Sequence, residues 1–160
     1  MEKEEIEDPE IKSWKSKLFY SWIFTLPIAF LMLSERLFDF ELIPMPYSIW
    51  TILFLSFPVV FIFGFQTIKS GIRSLFTFYF NMDSLISLGT IIAYITGIFA
   101  FFEVMQDYSG VSAMIMAFFI TGKYVEAKAR GRASQEIKKL LELGVKNARI
   151  LRNKKEIDVP

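Results

Sequence analysis

Cysteine and histidine are both absent from the 160 residues of this chain. Without cysteine there is no disulfide framework and no thiolate metal site. Without histidine, imidazole ligation and ordinary histidine acid–base catalysis are excluded. No Gly-rich phosphate loop occurs, and neither a nucleophile–base pair nor an acid pair in a soluble segment can be assembled. Charge is scarce in the middle of the chain. The formal net charge of +1 hides a segregation, with six acidic residues among the first ten and 11 of the 18 basic residues from Lys123 onward. No nucleic-acid partner is expected.

What is abundant is apolar surface. A hydrophobic content of 53%, with 18 Phe and 3 Trp, is too high for a soluble domain of this size and points to lipid as the solvent. A crossing needs about 20 mostly apolar residues. Four stretches come close: residues 18–33, residues 47–68 after Pro44 and Pro46, the 19 uncharged residues between Asp83 and Glu103, and residues 108–122. Pro27 is tolerated in the first because neighbouring helices can satisfy the freed carbonyl. The last is short and must borrow Lys123 by snorkelling. Acidic residues ahead of the first stretch, and no small-residue cleavage pattern after it, argue against a signal peptide.

Lys and Arg crowd both terminal segments and are sparse in the loops 34–46 and 103–107. Four crossings with both termini cytoplasmic fit that distribution. Gly89, Ala93 and Gly97 recur every four residues and suit close helix packing; the alternative is that small residues are simply common in membrane helices. Ala113, Ala117 and Thr121 form a weaker row of the same kind.

The stretch IKSGIRSLFTFYFN neither spans nor reads as a solvated loop. Ser70-Gly71 weakens the preceding helix and predicts a kink. Beyond it Ile72, Leu75, Phe76 and Tyr79 can share a face while Lys69 and Arg73 reach headgroups, the pattern of an interfacial helix; a plain apolar connector is the alternative. Two carboxylates stand out at the edges of apolar segments. Asp83 suits a helix N-terminus beside Asn81. Glu126 follows the fourth apolar stretch and is open to a ligand role or to a surface ion pair with Lys123 or Arg130. Methionine is the one soft donor available, although most of the seven are explained by packing.

The runs NMDSLISLGT and MIMAFFITGKYVEAKARGRASQEIKKLLEL closely resemble the copper(I) branch of the heavy-metal-transporting P-type ATPases. The organisation is similar over residues 14–160, and the specific motifs lie in residues 64–160. In that family a cytoplasmic entrance site uses the Met of Asn-Met-Asp and the Glu of Gly-x-x-x-Glu-Ala-x-Ala, which implies metal roles for Met82 and Glu126. A paired-glycine kink that makes a platform falls at Ser70 and Gly71, with Ser70 standing where the family has its first glycine. Zinc and cadmium relatives usually differ at Asn-Met-Asp, which favours copper.

The resemblance implies an all-α membrane protein. It would have four transmembrane helices with an interfacial helix between the second and third, plus a cytoplasmic helix and short β-hairpin at the C-terminus. The expected divisions are an acidic tail (residues 1–13), a transmembrane domain (14–126) and an incomplete start of an actuator domain (127–160). In the last, Ala133, Ile137, Leu140 and Leu141 form an apolar stripe, Gly144 is a helix stop, and Asn153 serves a hairpin turn. No Asp is followed by Lys, so the phosphorylation motif Asp-Lys-Thr-Gly-Thr is missing, as are Cys-Pro-Cys and Thr-Gly-Glu. Copper(I) would be the transported ion, and ATP and magnesium would act only through regions absent from this chain. The expected role is the entrance site and membrane anchor of a pump, inactive alone. Its partners would be the lipid bilayer, the remaining part of the pump and a copper chaperone. The competing readings are a non-catalytic membrane scaffold or remnant protein acting through helix–helix contacts, or a fragment of a zinc- or cadmium-type pump.

Overall fold

The computed structural model describes residues 9–38, 43–44, 47–142, 148–152 and 155–159. Most of the acidic tail, Pro46, Gly144 and Asn153 lie outside the described residues. The elements in chain order are α1 (Pro9–Phe38), α2 (Tyr47–Phe57), a π-helical turn (Pro58–Phe63), α3 (Phe65–Phe76), α4 (Met82–Phe101), α5 (Ser109–Glu142), and the strands β1 (Ala148–Arg152) and β2 (Lys155–Val159). The strands pair antiparallel, with Ala148 opposite Val159 and Arg152 opposite Lys155.

The apolar half of α5 is the centre of the bundle. Ala113, Met116, Ala117 and Ile120 are fully buried, and α1, α2 and α4 all pack on this helix. In lipid no hydrophobic force drives helix against helix, so close packing of small residues and interhelical hydrogen bonds carry the association. Gly110 illustrates this: a methyl group there would overlap Met32 and Ile28 of α1. Ser21 and Thr25 of α1 are buried because each hydroxyl donates to a carbonyl of its own helix, Leu18 at 2.9 Å and Ser21 at 2.7 Å. Their polar atoms are thereby satisfied without a partner in lipid. Trp22 Nε1 donates to Thr121 Oγ1 across the α1–α5 seam at 3.0 Å. Large apolar side chains such as Phe30, Phe54, Leu85, Ile92 and Phe118 point outward, as lipid-facing residues do.

Four transmembrane helices are not what the structure contains. Among the described residues two helices, α1 and α4, are long and apolar enough to cross a membrane; a third crossing requires that Tyr47–Phe63 and Phe65–Phe76, bent by 70°, be one span. Two local features account for the correction. In the second apolar stretch Pro58 opens the π-helical turn, which closes with Gly64 N–H donating to Val59 O at 3.1 Å, and the chain then changes direction. In α5 the apolar run reaches Lys123 well short of the ~20 residues that a crossing needs. It continues as one 34-residue helix into a charged half instead of ending at a membrane boundary.

A sharp bend also lies upstream of the kink expected at Ser70-Gly71. The 70° bend falls at the break between Phe63 and Phe65, which is Gly64, while α3 runs unbroken through Ser70 and Gly71. Gly64 sits against α5, where a methyl group would overlap Val60 O and the Met116 thioether. Gly71 is buried on α4 instead, and a methyl group there would overlap the Ser87 side chain and the Asp83 carbonyl. Gly71 is therefore a packing contact with α4.

Candidate metal-entrance site

Both ends of the bundle are fixed by side-chain contacts. At one end Lys17 Nζ donates to Gln66 Oε1 (3.0 Å), and Arg130 lies 3.8 Å from Glu10. Gly131 of α5 is so close to Ile11 that a methyl group would overlap it. At the other end Arg36 donates to the Asp107 carbonyl and lies over the Tyr108 ring.

The first end carries a cavity of about 210 Å³ lined by Glu10, Trp14, Gln66, Ser70, Asp83, Lys123, Glu126 and Arg130, among others. Five of its lining groups are charged. Asp83 arrives there because α4 starts with a reciprocal cap: Ser84 N–H donates to Asn81 Oδ1 (2.9 Å), and Asn81 N–H donates to Ser84 Oγ (2.8 Å). Asn81 is thus the capping residue, and Asp83 sits in the first turn of α4. Glu126 arrives there on α5, one turn beyond Lys123. The Lys123 ammonium lies 3.5 Å from Asp83 and 3.8 Å from Glu126 and also rests over the Phe119 ring. Arg130 hydrogen-bonds the other oxygen of Glu126.

Glu126 and Asp83 therefore share one cation across two helices. Met82 opens α4 beside Asp83 but is exposed, and it does not line the cavity. Ser70 lines the cavity, whereas Gly71 is buried behind it. The row Gly89, Ala93 and Gly97 is split. Gly97 is buried against Ser109, Ala93 is half-buried, and Gly89 faces open space. The buried face of α4 runs instead through Ser84, Ser87, Thr90 and Gly97, with Ser87 donating to the Thr67 carbonyl of α3 at 2.9 Å.

Sequence reasoning paired Lys123 only with Glu126 and missed its bond to Asp83. The available signal was the position of Lys123 as the first cation after a long apolar run, level with the only acid in the first turn of α4. It also treated residues 1–13 as tail, although Glu10 belongs to α1 and lines the cavity beside Trp14. Among the described residues no group of three or more carboxylates is arranged to hold a metal by itself. A larger cavity, about 700 Å³, lies at the opposite end and is lined by Met32, Glu35, Arg36, Glu103, Met105 and Asp107, among others.

Comparison with known proteins agrees with the family resemblance read from the sequence. A Mycobacterium tuberculosis (strain CDC 1551 / Oshkosh) protein named "Probable copper-exporting P-type ATPase V" is 32% identical over 151 residues, covering 94% of this chain and 19% of that protein. The "Copper-exporting P-type ATPase" of Staphylococcus haemolyticus is 32% identical over 152 residues, covering 89% of this chain and 19% of its own length. That of Staphylococcus epidermidis (strain ATCC 35984) is 30% identical over 158 residues, covering 94% and 20%. This chain is related to the copper-exporting P-type ATPases. It spans about a fifth of the length of these curated relatives. No protein-family profile matches the chain. With two apolar helices of spanning length, the relationship to the copper-exporting ATPases makes it an integral membrane protein.

Proposed function

We propose that this chain supplies the cytoplasmic entrance site and the membrane anchor of an ATP-driven copper(I) exporter. The observation that carries the reading is the cavity joining the first turn of α4 to Glu126 of α5. Met82, next to Asp83 at the start of α4, offers a thioether, and Glu126 a carboxylate oxygen within the cavity. A soft sulfur with a hard oxygen is the donor pair left to a copper(I) site in a chain without cysteine or histidine. Copper(I) is the cargo, and its relatives' names support that choice over zinc or cadmium.

The cavity end is assigned to the cytoplasm, with both termini on that side. Lys12, Lys15 and Lys17 of α1 lie at the same end as Lys123, Lys128 and Arg130 of α5, and such clusters stay inside. ATP hydrolysis and its magnesium would be handled by other parts of the pump, and a copper chaperone is the expected donor.

Copper(I) titration of the purified chain against a chromophoric competitor under anaerobic conditions tests the reading. Met82→Leu and Glu126→Gln should each lower affinity by about tenfold or more, the scale of losing one ligand. Unchanged affinity in both variants would remove the assignment.

A further inference from the structure

The cavity already contains a cation. Lys123 Nζ sits between Asp83 (3.5 Å) and Glu126 (3.8 Å), with the lysine and the aspartate each largely covered, 24% and 20% exposed. Three carboxylates (Glu10, Asp83, Glu126) and two fixed cations (Lys123, Arg130) line the space, which leaves one net negative charge. Without Lys123 the same walls would carry two.

We propose that Lys123 is a specificity-determining residue of this site: its ammonium engages both carboxylates and sets the cavity's charge to match a monovalent cation and to disfavour a divalent one. The inference rests on the entrance-site reading above. Its physical basis is that charge interactions in a partly dehydrated cavity are several times stronger than in water, so one fixed positive charge a few ångströms away discriminates between a +1 and a +2 guest. A +1 ion brings the site to neutrality and needs only a short retreat of the flexible lysine stem. A +2 ion overshoots and meets the full repulsion of Lys123. The lysine thereby adds a preference for a single charge.

Removing the ammonium while keeping a polar side chain, Lys123→Gln, should raise the affinity for cadmium(II) by about tenfold or more, and should raise copper(I) affinity much less. Lys123→Arg keeps the charge and should keep the wild-type preference. Both are read by metal titration of the whole purified chain in detergent, with helicity by circular dichroism as a folding control. A cadmium-to-copper affinity ratio unchanged in Lys123→Gln overturns the inference. So does an equal rise for both ions, which would make Lys123 a plain competitor for the site. Should Lys123→Gln fail to fold, Asp83→Asn decides. It loses a carboxylate and leaves the lysine, and should weaken cadmium(II) binding more than copper(I) binding; equal weakening overturns the proposal. The underlying entrance-site reading fails separately, when Met82→Leu and Glu126→Gln bind copper(I) as the wild type does, whatever the Lys123 variants do.

Discussion

At the scale of single residues, the Asn-Met-Asp run divides its labour. Asn81 caps the helix, Asp83 anchors Lys123, and Met82 stands exposed between them. Capping is a measurable part of this. Asn81→Ala removes the acceptor for Ser84 N–H and should cost about 1 kcal/mol of stability, seen as a lower midpoint in thermal unfolding of the detergent-solubilised protein. Ser84→Ala removes the reciprocal bond and should cost a similar amount; an unchanged midpoint in both would show that the cap is not limiting. A helix start here is legible in the sequence from Asn81 and Asp83 ahead of an apolar run, but Asn81 rather than Asp83 is the capping residue, and its partner Ser84 is not foreseen. The cross-helix bond from Lys123 to Asp83 is not legible either. Pattern reading pairs charges three or four apart on one helix, and these two lie on different elements 40 positions apart in the sequence.

At the scale of elements, apolar length alone proved a poor guide to what crosses. The third stretch emerged as α4, bounded by Met82 and Phe101, because charge flanks it on both sides and its cap is unambiguous. The second did not emerge as one rod. Pro58 cannot donate a ladder hydrogen bond, the π-helical turn absorbs the missing contact, and Gly64 lets the chain swing onto α3. Composition marks Ser70-Gly71 as the weak point and passes over Gly64, where the 70° bend lies. Gly64→Ala should therefore destabilise the protein by about 1–3 kcal/mol, since a methyl group must push on Val60 O and Met116. Gly89→Ala, with open space around it, should leave stability unchanged or raise it by up to about 1 kcal/mol. Unfolding midpoints of the two variants check the contrast, and a similar loss in both would contradict it.

At the scale of the whole molecule, the two ends differ in chemistry. One end gathers the start of α1, α3 and the charged half of α5 around mixed charges; the other holds the α1 terminus against the connection between α4 and α5. Because the chain has no cysteine, single introduced thiols report sidedness without background. Ser13→Cys and Ala133→Cys, both at exposed positions, should react with an impermeant maleimide from the same face of the membrane, and Gln106→Cys from the opposite face. Labelling of all three from one face would refute the orientation. The overall membrane character was readable from composition alone. The arrangement was not, since it depends on α5, whose small residues make it a central helix while its early charges make it look too short to belong there.

That same helix gives the molecule a mechanical property. At 1.5 Å per residue, 34 residues make a rod of about 50 Å, held by the bundle over roughly its first two thirds and projecting beyond Gly131 with Ile137, Leu140 and Leu141 uncovered. A tilt of about 5° in the gripped part would swing the free tip by roughly 2 Å. Lys123 and Glu126 sit near the fulcrum. Replacing one ion contact by another at that pivot would be felt, magnified, at the far end of the lever.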